Sequence, residues 1–256
     1  MTKTKRILSR LTGRGKTDAR EPGFPEISGQ PYLETLEALV AARSAEWYLE
    51  IGSRTGTSLS RIPCNFIAID PEFQLQDARF KSARQMHFFQ MTSDDFFETD
   101  FLERNAIRPD VAFIDGMHHF EYALRDFANC EKAMAPDGFI LLHDVCPTSF
   151  AMASRELTEL EARRPWTGDV WKVVVALKDV RPDLEVHVLD CFKTGLCVVR
   201  GLDPANRTLF ESWDDIVARY IDTELDEFGA EAYYGRFALE PGDGFAERAF
   251  GRVDST

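Results

Sequence analysis

The stretch that most constrains the fold is Tyr48–Gly56, which reads YLEIGSRTG. A short apolar run ends in Glu50, Gly52 and Gly56 bracket a turn, and the following TSL indicates the start of a helix. A strand, a glycine turn and a helix N-terminus together point backbone N–H groups at a ligand. Glycine at such a turn can also serve only to allow positive φ, so the turn alone leaves both interpretations open.

A second apolar run, Phe66–Ile69, ends in Asp70, twenty residues after Glu50. An acid at the end of the second strand can accept hydrogen bonds from both hydroxyls of a ribose. Arg54 stands where a G-x-G-x-x-G fingerprint would have its second glycine, which argues against close contact with the pyrophosphate of NAD or FAD. The pair of motifs therefore predicts a ribose-containing ligand other than a dinucleotide.

Composition bounds the remaining possibilities. A chain of 256 residues with 44% hydrophobic residues can form one large α/β domain with an elaboration. Its net charge of −13 argues against a protein that holds nucleic acid through phosphate contacts. The cysteines are odd in number, scattered and without a CxxC pair, which is typical of a reduced cytoplasmic protein. We expect no membrane span and no secretory signal, because no apolar run is long enough.

Further along the chain, helical spacing of apolar residues predicts a helix from about residue 31, before strand 1 at Trp47–Ile51. Helices are also predicted at 75–84, 95–101 and 149–163, and Met86–Gln90 is predicted as strand 3. Ser93 and Asp94 follow that strand, where either could cap the next helix or face a ligand. Apolar runs at 184–189 and 196–199, separated by a Lys-Thr-Gly turn, predict a hairpin.

Two buried strands deliver ionisable groups to one edge of the predicted sheet. Val111–Ile114 is followed by Asp115-Gly116-Met117-His118-His119, and Phe139–Leu142 is followed by His143-Asp144. Continuous apolar runs are typical of parallel strands buried on both faces. Open α/β sheets bind ligands at the carboxyl ends of such strands, so we expect these groups to form a site together with Glu50 and Asp70.

The whole pattern IDGMHHFEYALRDFANCEKAMAPDGFILLHD, with E-x-G-x-x-x-G before it, resembles one branch of the class I S-adenosylmethionine (SAM)-dependent methyltransferases. That branch shows D-G-x-H-x-Y-E, a downstream D, a P-G-G turn and a strand ending in H-D, and it includes distant macrolide-sugar O-methyltransferases. The likeness covers about residues 30–200. Two departures are Phe120, where tyrosine is usual, and Asp137-Gly138 in place of Gly-Gly.

The resemblance implies a doubly wound, Rossmann-like α/β sheet of seven strands in the order 3-2-1-4-5-7-6, with the last strand antiparallel. It implies SAM as cofactor, with the glycine turn near the methionine part, Asp70 at the ribose and Asp94 near the adenine amino group. The cofactor-binding residues expected on this basis are Glu50, Gly52, Ser53, Gly56, Asp70, Ser93, Asp94 and Asp115.

The same resemblance suggests how methyl transfer to a hydroxyl would proceed. Asp115 and Asp144 could share Mg²⁺ or another divalent cation, which stabilises a developing alkoxide. His118 matches the general base, with Asp115 also catalytic, and a neutral imidazole is suited to take the acceptor proton. The alternatives are that Asp115 only starts the turn, that His143 packs in the sheet instead of binding metal, and that His118 acts without metal. His119 is expected to face solvent, and Trp171 either stacks on the acceptor or lies in the core.

We therefore predict a basic tail (1–28), a methyltransferase domain (29–201) and an acidic helical extension (202–256). The tail is either mobile or docks on an anionic surface, and the extension caps the sheet, dimerises the chain or contributes to a lid. The leading function is SAM-dependent O-methylation of a small hydroxylated acceptor, a sugar or a natural product. The alternatives are a non-catalytic SAM- or nucleotide-binding regulatory or assembly module, and a nicotinamide-dependent oxidoreductase, which Arg54 disfavours.

Overall fold

A computed structural model describes residues 21–75, 79–80, 84–156 and 165–251. Its centre is one sheet of eight strands. The strands are β1 (Trp47–Ile51), β2 (Asn65–Ile69), β3 (Met86–Phe89), β4 (Val111–Ile114), β5 (Phe139–His143), β6 (Glu185–Asp190), β7 (Leu196–Arg200) and β8 (Leu239–Pro241).

The strand order is β3-β2-β1-β4-β5-β7-β6-β8. Strands β1 to β5 are mutually parallel, and β7 is antiparallel to both β5 and β6. The predicted order 3-2-1-4-5-7-6 and its antiparallel strand are confirmed. The extra strand β8 pairs in parallel with β6, and it comes from the segment for which helices alone were predicted. An edge strand of three residues gives too short a pattern to recognise from sequence.

Helices cover both faces of the sheet, because its central strands are apolar on both sides. All four residues of β4 are buried, and two separate groups of buried side chains form the two cores. Among the described residues the helices are α1 (Tyr32–Ala42), α2 (Ser93–Glu98), α3 (Phe101–Arg104), α4 (Phe120–Ala133), α5 (Trp171–Val180), α6 (Thr208–Glu211), α7 (Trp213–Tyr220), α8 (Leu225–Phe228), α9 (Ala230–Tyr234) and α10 (Phe245–Phe250).

Several local predictions were wrong or lie partly outside the described residues. Within the predicted helix 75–84, residues 75, 79, 80 and 84 are not helical, and the others lie outside the description. The described part of the predicted helix 149–163 is a series of turns up to residue 156, where the description stops. The predicted helix 95–101 is instead two short helices, α2 and α3, because Asp100 between them adopts the left-handed conformation with φ of 54°.

The helix expected after the glycine turn is reduced to one turn of 3-10 helix, Leu59–Arg61. Ile62 leaves the turn in an extended conformation, and Pro63 follows it. The residue before a proline is pushed away from helical geometry, so the turn cannot continue. This connection carries the chain to β2 in a few residues.

The segments at both ends of the described chain pack on the central domain. The Tyr233 hydroxyl donates to the carbonyl of Val145 at 2.6 Å, and that of Tyr234 to the carbonyl of Pro147 at 2.5 Å. Phe24 is buried, with its ring 4.9 Å from that of Phe150. Residues 1–20 of the predicted basic tail lie outside the description. Among the described residues, no helix is both long and apolar enough to cross a membrane.

Candidate active site

The glycine turn after β1 lies against the loop that follows β4. Gly52 has φ of 92°, and its N–H donates to the carbonyl of Ile69 at 2.9 Å. A Cβ atom at Gly52 would lie 2.1 Å from the carbonyl oxygen of Asp115. Only glycine combines this φ with such a close approach. Gly56 also has a positive φ, of 70°, and closes the turn by donating to the carbonyl of Ser53.

Glu50 lies behind this turn rather than in the cleft. Its carboxylate accepts the hydroxyl of Tyr48 at 2.6 Å and that of Ser58 at 2.6 Å, and its side chain is buried. Burial raises the pKa of Glu50 to about 7, although the hydrogen bonds from Ser58 and Tyr48 oppose the shift. In this structure Glu50 therefore stabilises the turn through its hydrogen bonds. Its contact with a cofactor remains a prediction.

Asp70 directly follows β2 and lies next to the glycine turn. Its carboxylate accepts the backbone N–H of Arg54 at 2.8 Å and that of Glu72 at 2.7 Å. Each carboxylate oxygen can accept further hydrogen bonds, so Asp70 keeps acceptor capacity toward a ligand. The bond from Arg54 also ties the glycine turn to β2.

A cleft of about 680 Å³ follows the carboxyl ends of the strands. Of the predicted cofactor residues, Gly52, Ser53, Asp70, Ser93, Asp94 and Asp115 line it, whereas Glu50 and Gly56 do not. The candidate catalytic and metal-binding residues His118, His143 and Asp144 line it as well. The cleft is large enough for a cofactor-sized ligand.

One end of the cleft is formed around Ser93 and Asp94. Asp94 is held by Arg125, whose Nε and terminal nitrogen lie 2.6 and 2.5 Å from its two carboxylate oxygens. The helix cap is Thr92, which accepts the N–H of Asp95, so the predicted cap at Ser93 or Asp94 was wrong. A residue that the sequence interpretation missed, Asp126, is buried beside Ser93 and also lines the cleft.

The environment of Asp126 is unusual for an acid. Burial raises its pKa to about 7, and a hydrogen bond with Ser93 opposes the shift. Asp126 is among the buried residues of α4, in sequence between the buried Leu124 and Phe127. An acid within the apolar pattern of a helix is a signal that sequence alone offers, and it is the downstream D of the motif quoted above.

At the other end of the cleft, Asp115, His118 and Asp144 come together. One ligand atom of each lies within 4.8 Å of the others. His118 Nε2 is 3.2 Å from an Asp144 oxygen and 3.7 Å from an Asp115 oxygen. Asp144 has φ of 59°, a conformation unusual for a residue with a side chain. Backbone strain of this kind is concentrated at functional sites.

The ring of His118 is fixed by the backbone. Its Nδ1 lies 3.0 Å from the carbonyl oxygen of Trp166, whose ring stacks on the imidazole at a centroid distance of 5.3 Å. A carbonyl only accepts, so Nδ1 carries a hydrogen and, in the neutral ring, Nε2 has the free electron pair. Nε2 is the atom that faces the two carboxylates. Burial disfavours the imidazolium, but Asp115 and Asp144 outweigh it and raise the pKa of His118.

His143 lies beside this cluster and is held by three neighbours. Its Nδ1 is 3.2 Å from an Asp115 oxygen, and its Nε2 is 3.3 Å from Thr194 Oγ1. The ring of Tyr32 packs against the imidazole at a centroid distance of 4.0 Å, with the two planes tilted by 37°. Burial by itself would lower the pKa of His143, but the opposing effect of Asp115 and Asp144 is larger and raises this pKa to about 10. Burial opposes ionisation of Asp115, and His143 and His118 overcome this and hold its pKa at about 2.

The structure decides between the two interpretations of Trp171 and also places His119. Trp171 is buried, with Tyr233 5.4 Å away, so its interpretation as a core residue is confirmed. Trp166, five residues earlier, is the tryptophan near His118. His119 is half-buried, with its Nε2 3.2 Å from the carbonyl oxygen of Arg155, so the expectation that it faces solvent was wrong. The expectation assumed that His118 and His119 lie on a helix, whereas the segment before α4 is not helical.

The donor set at this end of the cleft fits a divalent cation. Oxygen atoms of two carboxylates and one imidazole nitrogen lie within 4.8 Å of one another. Carboxylate oxygens suit Mg²⁺ and Mn²⁺, and an added imidazole favours the transition metal. The same three groups also form a plain ion-pair cluster when His118 is protonated.

Comparisons with known proteins agree with this architecture. Residues 49–145 match the model of a family described as a methyltransferase domain. An O-methyltransferase from Bacillus cereus, solved in complex with SAH, superimposes with a TM-score of 0.50 at 14% identity, covering 69% of this chain and 84% of that chain. A Staphylococcus aureus protein assigned provisionally as a caffeoyl-CoA O-methyltransferase gives 0.50 at 15% identity, covering 66% and 82%. A comparison with curated proteins found no match. At these identities the solved structures establish the fold.

Proposed function

We propose that the chain is a SAM-dependent methyltransferase that methylates a hydroxyl group of a small acceptor, a sugar or another natural product. Its match to a methyltransferase domain over residues 49–145 and the strand order of its sheet support this proposal. The observation that carries the proposal is His118, whose Nε2 faces a carboxylate pair at the end of the cleft. The fold and the SAH complex of the Bacillus cereus relative support placing the cofactor along the glycine turn.

The proposed cofactor contacts follow from the residues that line the cleft. Asp70 accepts the ribose hydroxyls, and the turn at Gly52 and Ser53 receives the methionine part. Ser93 and Asp94 lie at the adenine end, where Asp94 is already engaged by Arg125. Binding along this line leaves the sulfonium methyl to be presented at the end of the cleft that holds His118.

Methyl transfer from a sulfonium is an in-line displacement, so the enzyme has to align the acceptor oxygen and remove its proton. His118 Nε2 takes this proton, while the Trp166 carbonyl holds the hydrogen on Nδ1 and so keeps the electron pair on Nε2. Asp144 lies 3.2 Å from Nε2 and stabilises the imidazolium that forms. Tyr32 and Met117 also line the cleft and give the acceptor apolar surface there.

Asp115 and Asp144 are the residues that would hold a divalent cation, with His118 left free as the base. When bound, such a cation would supply positive charge that stabilises the developing alkoxide and offsets the effect of the two carboxylates on His118. Calorimetric titration with Mn²⁺ tests this division of roles. We expect Asp144→Asn to abolish binding and His118→Gln to preserve it within about tenfold, about 1.4 kcal/mol.

The experiment for the function itself measures SAH binding and SAH release. We expect the wild-type protein to bind SAH. We also expect it to convert SAM to SAH when methyl glucoside or protocatechuate is supplied as the probe acceptor. We expect His118→Gln to keep SAH affinity but lose about 10²–10⁴-fold in turnover, the usual contribution of a general base. Binding without turnover on either probe would favour the non-catalytic binding module, and no SAH binding would reject both functions.

A further inference from the structure

A loop outside the matched methyltransferase segment contacts His118 directly. This loop, residues 166–169, precedes α5. The carbonyl of Trp166 accepts the imidazole Nδ1–H at 3.0 Å, and the N–H of Asp169 donates to the backbone carbonyl of His118 at 3.1 Å. The carboxylate of Asp169 accepts the N–H of Phe120 at 2.6 Å. The loop therefore contacts the imidazole ring of His118, the backbone carbonyl of His118 and the backbone N–H of Phe120, two residues later.

The approach of the loop to His118 depends on Gly168. This residue has φ of 56°, and a Cβ atom there would lie 1.8 Å from the carbonyl oxygen of His118. A side chain of any size would push the loop and His118 apart. The contact thus requires glycine for two independent reasons, positive φ and space.

Buried charges anchor the loop on its far side. Asp169 is fully buried, and one carboxylate oxygen lies 2.9 Å from Lys172 Nζ and 3.0 Å from an Arg155 nitrogen. The Lys172 ammonium also donates to the carbonyl of Ile221 at 2.8 Å. Charged groups that are buried and fully paired tolerate little displacement, so this anchor limits movement of the loop.

Residues 117–119 belong neither to β4 nor to α4, which begins at Phe120. Regular backbone hydrogen bonding therefore does not hold His118 in place. We propose that the 166–169 loop is the element that positions His118 for proton transfer, with Gly168 and Asp169 as its positioning residues. The inference rests on the proposed function for its catalytic consequence, but the positioning itself can be measured separately.

The test compares Gly168→Ala with Gly201→Ala. Gly201 also has a positive φ, of 72°, but a Cβ there would lie 3.4 Å from its nearest neighbour, the carbonyl oxygen of Asp183. Both substitutions thus carry the penalty for positive φ, and only the first disturbs His118. We expect Gly168→Ala to speed hydrogen exchange at the amides of Asp169 and Phe120 by at least about tenfold and Gly201→Ala to leave both unchanged.

Turnover on the probe acceptor provides the second readout. We expect Gly168→Ala to lower kcat by at least about tenfold with little change in KM for SAM, and Gly201→Ala to keep wild-type kcat. Equal exchange rates, or equal kcat, in the two variants would overturn the inference. If the wild type binds SAH but does not turn over, the proposed function fails and amide exchange alone decides the positioning.

A second design covers the case in which Gly168→Ala does not fold. Asp169→Leu and Asp169→Asn are each combined with Lys172→Met, so that neither protein contains an unpaired buried charge. The asparagine oxygen can still accept the N–H of Phe120, whereas leucine cannot. We expect faster exchange at Phe120 and lower kcat only with leucine, and identical behaviour of the pair would reject the role of Asp169.

Discussion

Glu50 combines full burial with an ionisable side chain, and the consequence for stability can be measured. In the folded chain its carboxyl group is buried and accepts hydrogen bonds from the hydroxyls of Tyr48 and Ser58. Glu50→Gln removes the charge and preserves the shape. The amide oxygen can accept one hydroxyl, and the amide N–H can donate to the other, because a hydroxyl also accepts.

The magnitude follows from the pKa of Glu50, which is about 7 in the folded state against 4.5 for the free side chain. Folding favours the protonated carboxyl, so its contribution is present below about pH 4.5 and is lost as the pH rises through about 7. The difference of about 2.5 between these two pKa values corresponds to roughly 3.4 kcal/mol. By the linkage relation, roughly 2 kcal/mol of this stability is lost between about pH 5.5 and about pH 8.5.

Urea denaturation of cofactor-free protein at these two pH values provides the assay. We expect the free energy of unfolding of the wild type to fall by roughly 2 kcal/mol more than that of Glu50→Gln over this interval. Glu98→Gln, which replaces an exposed glutamate, should reproduce the wild-type pH dependence. Parallel pH dependence in Glu50→Gln and the wild type would refute the reasoning from burial.

Two further substitutions test the turn and the core. Gly52→Ala would place a Cβ atom 2.1 Å from the carbonyl oxygen of Asp115, so we expect calorimetry to show at least about tenfold weaker SAH binding. Gly251→Ala, also at positive φ but with no atom within 4 Å, should bind SAH normally, and equal affinities would argue against the packing explanation. Arg181→Met leaves the buried Glu131 carboxylate without the guanidinium now 2.6 and 2.8 Å from its oxygens. We expect about 3–5 kcal/mol lower stability in urea, and a loss below about 1 kcal/mol would contradict it.

The central sheet and the edge that carries the site could be predicted because the signals are local. A parallel strand buried on both faces requires a continuous apolar run; β2, β4 and β5 have such runs, and β1 is apolar apart from Glu50. The polar residues that follow these runs within two positions, Asp70, Asp115 and Asp144 among them, must then meet at one edge. Glycines with positive φ mark the turn, so its position is also written in the nearby residues.

Contacts between distant parts of the chain could not be read in this way. Asp94 is paired with Arg125, 31 residues away, and the ring of His118 is held by a carbonyl 48 residues away. The sequence offers no reason to prefer Trp166 over Trp171 as the tryptophan at the cleft. Which of them is buried depends on how α5 packs, and that packing is a property of the whole fold.

The sequence by itself therefore determined where the central strands lie and which acids reach their carboxyl ends, whereas the strand order was implied by the resemblance to the methyltransferases. Tertiary structure decided how those groups are used, because hydrogen-bond partners and burial arise only after packing. It put Glu50 behind the turn and Asp126 beside the cleft, and it added the eighth strand. Periodicity reports which residues avoid water, whereas the partner of a polar group depends on geometry that no short stretch contains.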